Sequence, residues 1–160
     1  MKKSLLMLLL FCSVSLFSQN DIPSINLKTL DGKNFNSREL ALDNKITVVS
    51  LWATWCVPCL RELDGISEVY DEWREETDFE LIAVSVDDSR TVNRVKPLVN
   101  GKAWDYTILL DTNNDFQRAL GAATVPYTFL IKDNQIVYRH SGYSPGSEYE
   151  LYEKIKELAN

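Results

Sequence analysis

The hydrophobic positions of this chain form short continuous runs and longer periodic stretches, and the two kinds alternate. Continuous runs at Ile46–Trp52 and 81–86 are rich in β-branched residues, which is typical of strands buried on both faces of a sheet. Thr107–Leu110 predicts a third strand. After the first run, hydrophobic residues recur at spacings of three and four from Leu60 to Trp73, which predicts a helix with one apolar face.

Turn and helix signals divide the regions around these elements. Asp31-Gly32 separates two short apolar runs and predicts a tight hairpin near the N-terminus. A helix is predicted over 91–99, and Pro97 is expected to kink or end it. A short helix is predicted over 115–120, closed by Gly121 in a left-handed cap.

The C-terminal part of the chain predicts a hairpin followed by a helix. Apolar runs at 127–131 and 136–139 meet at Asp133-Asn134 and read as two antiparallel strands. Ser147 and Glu150 have the spacing of a capping box that opens a last helix. Along the chain, parallel crossover units come first, and a hairpin with a helix comes last. This order predicts an α/β domain whose helices cover both faces of a central mixed sheet.

The N-terminus has the organisation of a secretory signal peptide. Lys2 and Lys3 precede an apolar stretch over 5–17, and Ser18 offers a small residue for cleavage. We therefore expect a signal peptide over 1–18, which places the protein in the periplasm or another extracytoplasmic compartment.

Two kinds of membrane attachment are alternatives to cleavage. The apolar stretch is shorter than the roughly 20 residues of a spanning helix, which disfavours an uncleaved N-terminal anchor. A lipid anchor on Cys12 is disfavoured further, because Phe11 stands where lipoprotein processing needs a small residue.

The remaining residues, 19–160, have the size of one domain with its own core. Removing 1–18 takes away two lysines and no acidic residue, so the formal net charge of −6 becomes −8, with 15 basic against 23 acidic residues. An acidic protein is poorly suited to bind nucleic acid, which excludes nucleic acid as an expected partner.

Candidate chemistry lies at the junction between the first buried run and the periodic stretch. Cys56 should stand at the start of a helix, where unpaired N–H groups and the helix dipole favour a thiolate, so it is the predicted nucleophile. Pro58 is tolerated there because N–H groups of the first turn have no intrahelical partner. Cys59 follows on the same helical face and can resolve a mixed disulfide formed by Cys56.

Two other uses of the cysteine pair are less favoured. A structural disulfide between Cys56 and Cys59 would close a very small ring worth only about 2 kcal/mol. A metal site needs more ligands, and the chain has a single histidine, His140, distant in sequence and interpreted as a solvated side chain.

The eight residues from Trp52 to Cys59 resemble the active-site signature of thioredoxin-fold proteins, specifically the extracytoplasmic TlpA/ResA-like thiol-disulfide oxidoreductases. The segment 109–111 and the segment 125–131 resemble further parts of the same family, and the similarity covers roughly 25–159. It implies a thioredoxin fold with an N-terminal β-hairpin extension and a reaction that needs no cofactor. Peroxidase chemistry of the related peroxiredoxins is disfavoured, because it needs an isolated cysteine.

The resemblance also implies a substrate-binding surface around the cysteines. Pro126 is expected in the cis form facing the pair, with the backbone of Val125 free to pair with a bound polypeptide. Trp55 and Tyr127 are expected to form an apolar platform for substrate, with a role in packing alone as the alternative. Tyr127 stands where a threonine is commoner in the family. Val57 and Pro58, between the cysteines, complete the predicted contacts.

Glu62 is the third predicted catalytic residue. A glutamate at this place tunes the thiols in ResA-like proteins, and a carboxylate one helical turn after Cys59 can accept its proton. The competing interpretation is that Glu62 lies on a solvated helix face with Arg61 and Asp64. Ordinary thioredoxins carry a buried acid where this chain has Ser50, so that proton acceptor is expected to be absent.

The direction of electron flow is the least determined part of the prediction. Val57-Pro58 resembles the loop of reducing members more than that of strong oxidants, so the chain is predicted to reduce protein disulfides. The resemblance implies a membrane thiol-shuttling protein as electron donor and exported proteins, including apocytochromes c, as substrates. A disulfide oxidase or isomerase, and a binding module that carries haem or a folding client, remain as alternatives.

Overall fold

The computed structural model describes residues 20–41 and 45–160. The predicted signal peptide lies outside these residues. Within them, no helix combines the length and apolar character needed to cross a bilayer.

One mixed sheet organises the described residues. Its seven strands, in the spatial order β2-β1-β5-β4-β3-β6-β7, are β1 (Asn26–Thr29), β2 (Asn34–Asn36), β3 (Ile46–Trp52), β4 (Phe79–Ser85), β5 (Thr107–Leu110), β6 (Tyr127–Lys132) and β7 (Gln135–Ser141). β3, β4 and β5 run parallel, whereas β6 and β7 are antiparallel additions on one side. The β1-β2 hairpin joins β5 at the other side, which confirms the predicted hairpin extension.

Helices cover both faces of the sheet. In the described residues they are α1 (Val57–Glu76), α2 (Val95–Lys102), α3 (Asp115–Ala119) and α4 (Ser147–Ala159). Thr128 of β6 bonds to Glu62 of α1, whereas the next residue, Phe129, packs 6.3 Å from Phe116 of α3. Because successive strand residues point to opposite faces, α1 and α3 lie on opposite sides of the sheet. This arrangement confirms the predicted α/β class and the placement of helices on both faces.

The predicted capping box of the last helix is wrong. Gly146, with φ of +96°, is the N-cap of α4, and Ser147 is the first helical residue. The Ser147 hydroxyl donates to the Ser144 carbonyl, and the Gly146 N–H donates to the Glu148 carboxylate at 3.0 Å. The helix therefore begins as predicted at Ser147. However, its N-cap, where a capping box requires serine or threonine, is a glycine with positive φ.

The prediction that Pro97 ends a helix is also wrong. A 3₁₀ turn at Val92–Arg94 leads directly into α2, and Pro97 is the third residue of that helix, which continues to Lys102. In the first turn of a helix the missing proline N–H removes no intrahelical hydrogen bond, so the helix passes through this residue.

Candidate active site

Cys56 lies at the junction of β3 and α1. All of β3 is buried, and the chain turns after Trp52 so that the Cys56 N–H donates to the Ala53 carbonyl at 3.0 Å. Cys56 is the N-cap of α1, with extended backbone angles, and Pro58 occupies the first turn of the helix. The local sequence thus delivers the predicted nucleophile to a helix N-terminus.

Cys56 and Cys59 form a disulfide, with their Cα atoms 5.3 Å apart. The Cys59 N–H donates to the Cys56 sulfur at 3.3 Å. Cys56 retains 5% exposure, whereas Cys59 is fully buried. When the bond opens, the same N–H and the helix dipole would stabilise a thiolate on Cys56.

Exposed apolar residues surround the buried pair. Trp55 is 58% and Val57 56% exposed, and Pro58 is exposed beside them. Exposed large hydrophobic side chains are informative where they cluster, because burying them on a partner is favourable. These three residues form the apolar collar of the site.

The loop before β6 reaches the same end of the sheet. Tyr127 pairs with Leu51 across antiparallel strands, so the preceding residues lie beside the carboxyl end of β3, from which the cysteine turn departs. The Val125-Pro126 bond is cis. Val125 is half-buried, Pro126 is buried, and both precede the first residue paired in β6.

The structure does not bring Tyr127 and Trp55 together. Tyr127 is buried, and its ring centroid lies 6.2 Å from that of Phe129. Both rings are on the sheet face that α3 covers with Phe116. Among the described aromatic rings, Trp55 makes no contact with Tyr127. The apolar surface beside the cysteines is therefore built from the collar and not from a two-ring platform.

Glu62 lies on the buried face of α1, which contradicts a position on a solvated helix face. Its side chain is 3% exposed. The Ser50 hydroxyl donates to Oε2 at 3.1 Å, and the Thr128 hydroxyl donates to Oε1 at 3.0 Å. Ser50 and Thr128 stand directly opposite each other on β3 and β6, so the two strands present a pair of hydroxyls to the carboxyl group. Glu62 follows Cys59 by one helical turn.

The pKa of Glu62 is raised from its ordinary 4.5 to about 7. Burial is the largest cause, because it disfavours the charged form. The hydrogen bonds from Thr128 and Ser50 oppose this rise, and the charge of Glu148 adds to it. A carboxyl group that titrates near neutral pH thus lies one helical turn from the buried cysteine.

The first turn of α4 approaches α1 beside this carboxyl group. A β-carbon at Gly65 would stand 3.4 Å from Glu148 Oε1 and 3.5 Å from the Tyr143 hydroxyl. Burial raises the pKa of Tyr143 to about 12, and its hydrogen bond with Glu148 and the charge of that residue add to the rise. An acidic group therefore lies close to the helix turn that follows Glu62.

Comparison with known proteins places these features in a family. The family model described as the AhpC/TSA family matches residues 19–140. The chain belongs to the AhpC/TSA family. A thioredoxin-like protein from Porphyromonas gingivalis, known from its solution structure, superposes with a TM-score of 0.77 at 43% identity, over 86% of this chain and 91% of that one.

Curated relatives of this AhpC/TSA protein carry an activity in their names. The ResA thiol-disulfide oxidoreductase of Halalkalibacterium halodurans is 29% identical over 133 residues, covering 82% of this chain and 71% of the relative. The one from Bacillus thuringiensis is 27% identical over 135 residues, covering 84% and 75%. Together with the Cys56–Cys59 disulfide, these relatives identify the chain as a thiol-disulfide oxidoreductase.

Sequence reasoning found Glu62 but missed the hydroxyl pair that holds it. Ser50 in the sequence predicts that this part of the core has no buried acid. In the structure the carboxyl group reaches Ser50 from α1, so an acid does occupy this part of the core. The available signal was the polar residue within an otherwise apolar buried strand, since buried polar groups need partners.

Proposed function

We propose that this protein reduces disulfide bonds of exported proteins outside the cytoplasm, by dithiol–disulfide exchange through Cys56 and Cys59. The observation that carries the proposal is the asymmetry of the pair. Cys56 stands at the helix N-terminus within the exposed collar, whereas Cys59 is fully buried one turn from a carboxyl group of raised pKa.

The first step forms a mixed disulfide. The Cys56 thiolate attacks one sulfur of the substrate disulfide, a bond forms between the two sulfurs, and the second substrate sulfur leaves as a thiolate. The Cys59 N–H aimed at the Cys56 sulfur favours the attacking thiolate.

The second step releases the substrate. Cys59 transfers its proton to the Glu62 carboxylate and attacks the Cys56 sulfur, which forms the enzyme disulfide and frees the other substrate sulfur. Two electrons pass from the enzyme dithiol to the substrate, and the substrate thiolates take up protons. A carboxyl group with a pKa of about 7 suits this role, because it accepts and returns a proton near neutral pH.

Substrate recognition is assigned to two surfaces that flank the cysteines. Trp55, Val57 and Pro58 offer apolar area to a partner. Val125, ahead of the β6 ladder and next to Pro126, offers its backbone to an extended polypeptide, which would bind as an added strand. A direct substrate contact of Tyr127 stays a prediction.

The proposed direction requires an electron donor outside the cytoplasm. In an oxidising compartment the enzyme disulfide must be reduced again after each turnover. We assign this step to a membrane thiol-shuttling protein, and the substrate cysteines to exported proteins such as apocytochromes c. The basis is the Val57-Pro58 pair between the cysteines and the likeness to ResA proteins.

The reduction potential of the Cys56–Cys59 couple tests the direction. We expect a value near that of thioredoxin, ~−270 mV, from equilibration with a dithiothreitol or glutathione buffer and quantification of free thiols. A value near ~−120 mV, as in strong oxidants, would overturn the reductive proposal in favour of a disulfide oxidase.

Export is tested on the full chain. We expect cells that express it with a C-terminal tag to release a mature protein whose N-terminus, read by mass spectrometry, follows Ser18 or a neighbouring residue. A chain of full mass in the membrane fraction would instead support an uncleaved anchor. A full-mass chain in the cytosol would contradict the proposed location.

A further inference from the structure

Asp87 is a buried carboxylate that the exchange steps above do not use. It follows β4 and has no solvent exposure. Its Oδ2 atom accepts hydrogen bonds from the Thr54 backbone N–H and the Ser85 hydroxyl, both at 2.8 Å, and its Oδ1 atom accepts one from the Thr54 hydroxyl at 2.6 Å. Two of these three donors belong to one residue, which stands two positions before Cys56.

The hydrogen-bond donors to the Asp87 carboxylate are all uncharged. Among the described residues, no lysine or arginine side chain forms an ion pair with it. A buried charge without a counter-ion is costly unless hydrogen bonds replace its hydration, and here the donors of Thr54 and Ser85 do so. Moving Thr54 away would strip the carboxylate of two donors, so the turn is held firmly to the end of β4.

We propose that Asp87 is a positioning residue for the nucleophile, which acts through Thr54 to hold the 53–56 turn in place while the disulfide is open. This inference rests on the proposed function, in which the reduced form is the one that attacks. In the oxidised form the bond to Cys59 itself ties Cys56 to α1. We call the two hydrogen bonds from Thr54 to Asp87 the clamp. Once the disulfide opens, the clamp and the hydrogen bond from the Cys56 N–H to the Ala53 carbonyl keep the turn in place.

The clamp has a measurable effect on the sulfur. A Cys56 held at the N-cap keeps its thiolate near the Cys59 N–H and the positive end of the helix dipole. If the turn loosens, the thiolate loses both, and its pKa rises toward the ordinary thiol value of about 8.5. A residue that only stabilised the fold would change the melting temperature and leave this pKa where it was.

The experiment measures the pKa of Cys56 in the fully reduced protein, from the pH dependence of iodoacetamide alkylation with the modified cysteine identified by mass spectrometry. We expect T54A to lower the thiolate fraction at pH 7 about threefold and D87A about tenfold. T54S keeps the hydroxyl and should match the wild type. D88A is the matched control, because the neighbouring Asp88 carboxylate bonds to Arg90 and not to the turn.

Coupling between the two residues gives a second readout. Because both act through one contact, the T54A/D87A double variant should be no worse than D87A alone. Additive effects would contradict the inference, and so would an unchanged Cys56 pKa in T54A and D87A. A lowered pKa in D87A would also overturn it, by showing that Asp87 acts on the sulfur through its charge. If D87A does not fold, the Cys56 pKa of T54A compared with that of T54S decides whether the inference holds.

Failure of the inference is distinguishable from failure of the proposed function. If the wild-type protein exchanges disulfides and the Cys56 pKa is unchanged in T54A and D87A, only the inference is overturned. A wild-type protein that performs no exchange removes the proposed function, whatever the pKa of Cys56.

Discussion

Replacing Cys59 with serine should turn the protein into a trap for its substrates. Cys56 can still attack a substrate disulfide, but the buried residue that resolves the mixed disulfide is gone. We expect C59S to accumulate covalent complexes in vivo and to lose catalytic turnover. Non-reducing gels and mass spectrometry of the purified complexes would measure the first, and steady-state reduction of a protein disulfide the second.

The matched control is C56S, which keeps a cysteine in the buried position. Because Cys59 is fully buried, C56S should trap nothing, and turnover should fall to the uncatalysed rate. A C12S background removes the remaining cysteine of the sequence, so every complex can be assigned to one sulfur. Complexes formed equally by both variants would contradict the assigned order of attack, and no complex from C59S would argue against exchange altogether.

The parts of the site that local patterns describe were predictable from the sequence. The continuous run Ile46–Trp52 and the three-to-four periodicity after Pro58 give β3 and α1, and their junction puts Cys56 at a helix N-terminus. Glu62 follows from the same helical periodicity. Each inference uses residues within a few positions of each other, which is the range over which hydrophobic patterns carry information.

The contacts that fix the site are long-range, and no local pattern encodes them. Thr54 is 33 positions from Asp87, and Glu62 is 66 positions from Thr128. Both contacts depend on the register of strands that meet only in the folded sheet. The N-cap of the last helix was also not predictable from the local sequence. Gly146 is that N-cap because of a backbone angle that composition alone does not set.

Replacing Glu62 with glutamine should make the oxidised protein more stable at alkaline pH. The folded pKa of about 7 exceeds the ordinary 4.5, so the folded state binds this proton more tightly than the unfolded state. The contribution of Glu62 to the unfolding free energy therefore decreases as the pH rises from 4.5 to 7, by about 3 kcal/mol in total, and is level above and below this range. The uncharged amide of E62Q should abolish this slope. Urea unfolding of the oxidised forms at several pH values measures it.

E68Q is the matched control, because Glu68 lies on the same helix and is exposed. It should retain the wild-type slope between pH 4.5 and 7. Equal slopes in wild type and E62Q would contradict the assignment of the raised pKa to Glu62. The oxidised form is used because the bonded cysteines do not titrate, so the difference reports the carboxyl group alone.

The same variant decides whether Glu62 tunes the thiols of the reduced form. Above pH 7 the wild-type carboxylate is charged, and its charge opposes a thiolate on the neighbouring Cys59. E62Q should therefore lower the pKa of the Cys59 thiol while slowing the resolving step, because the amide cannot accept the thiol proton. A structural role alone would move neither quantity. Thiol titration of the reduced protein and single-turnover release of substrate measure them separately, and unchanged pKa values of Cys56 and Cys59 would remove Glu62 from the mechanism.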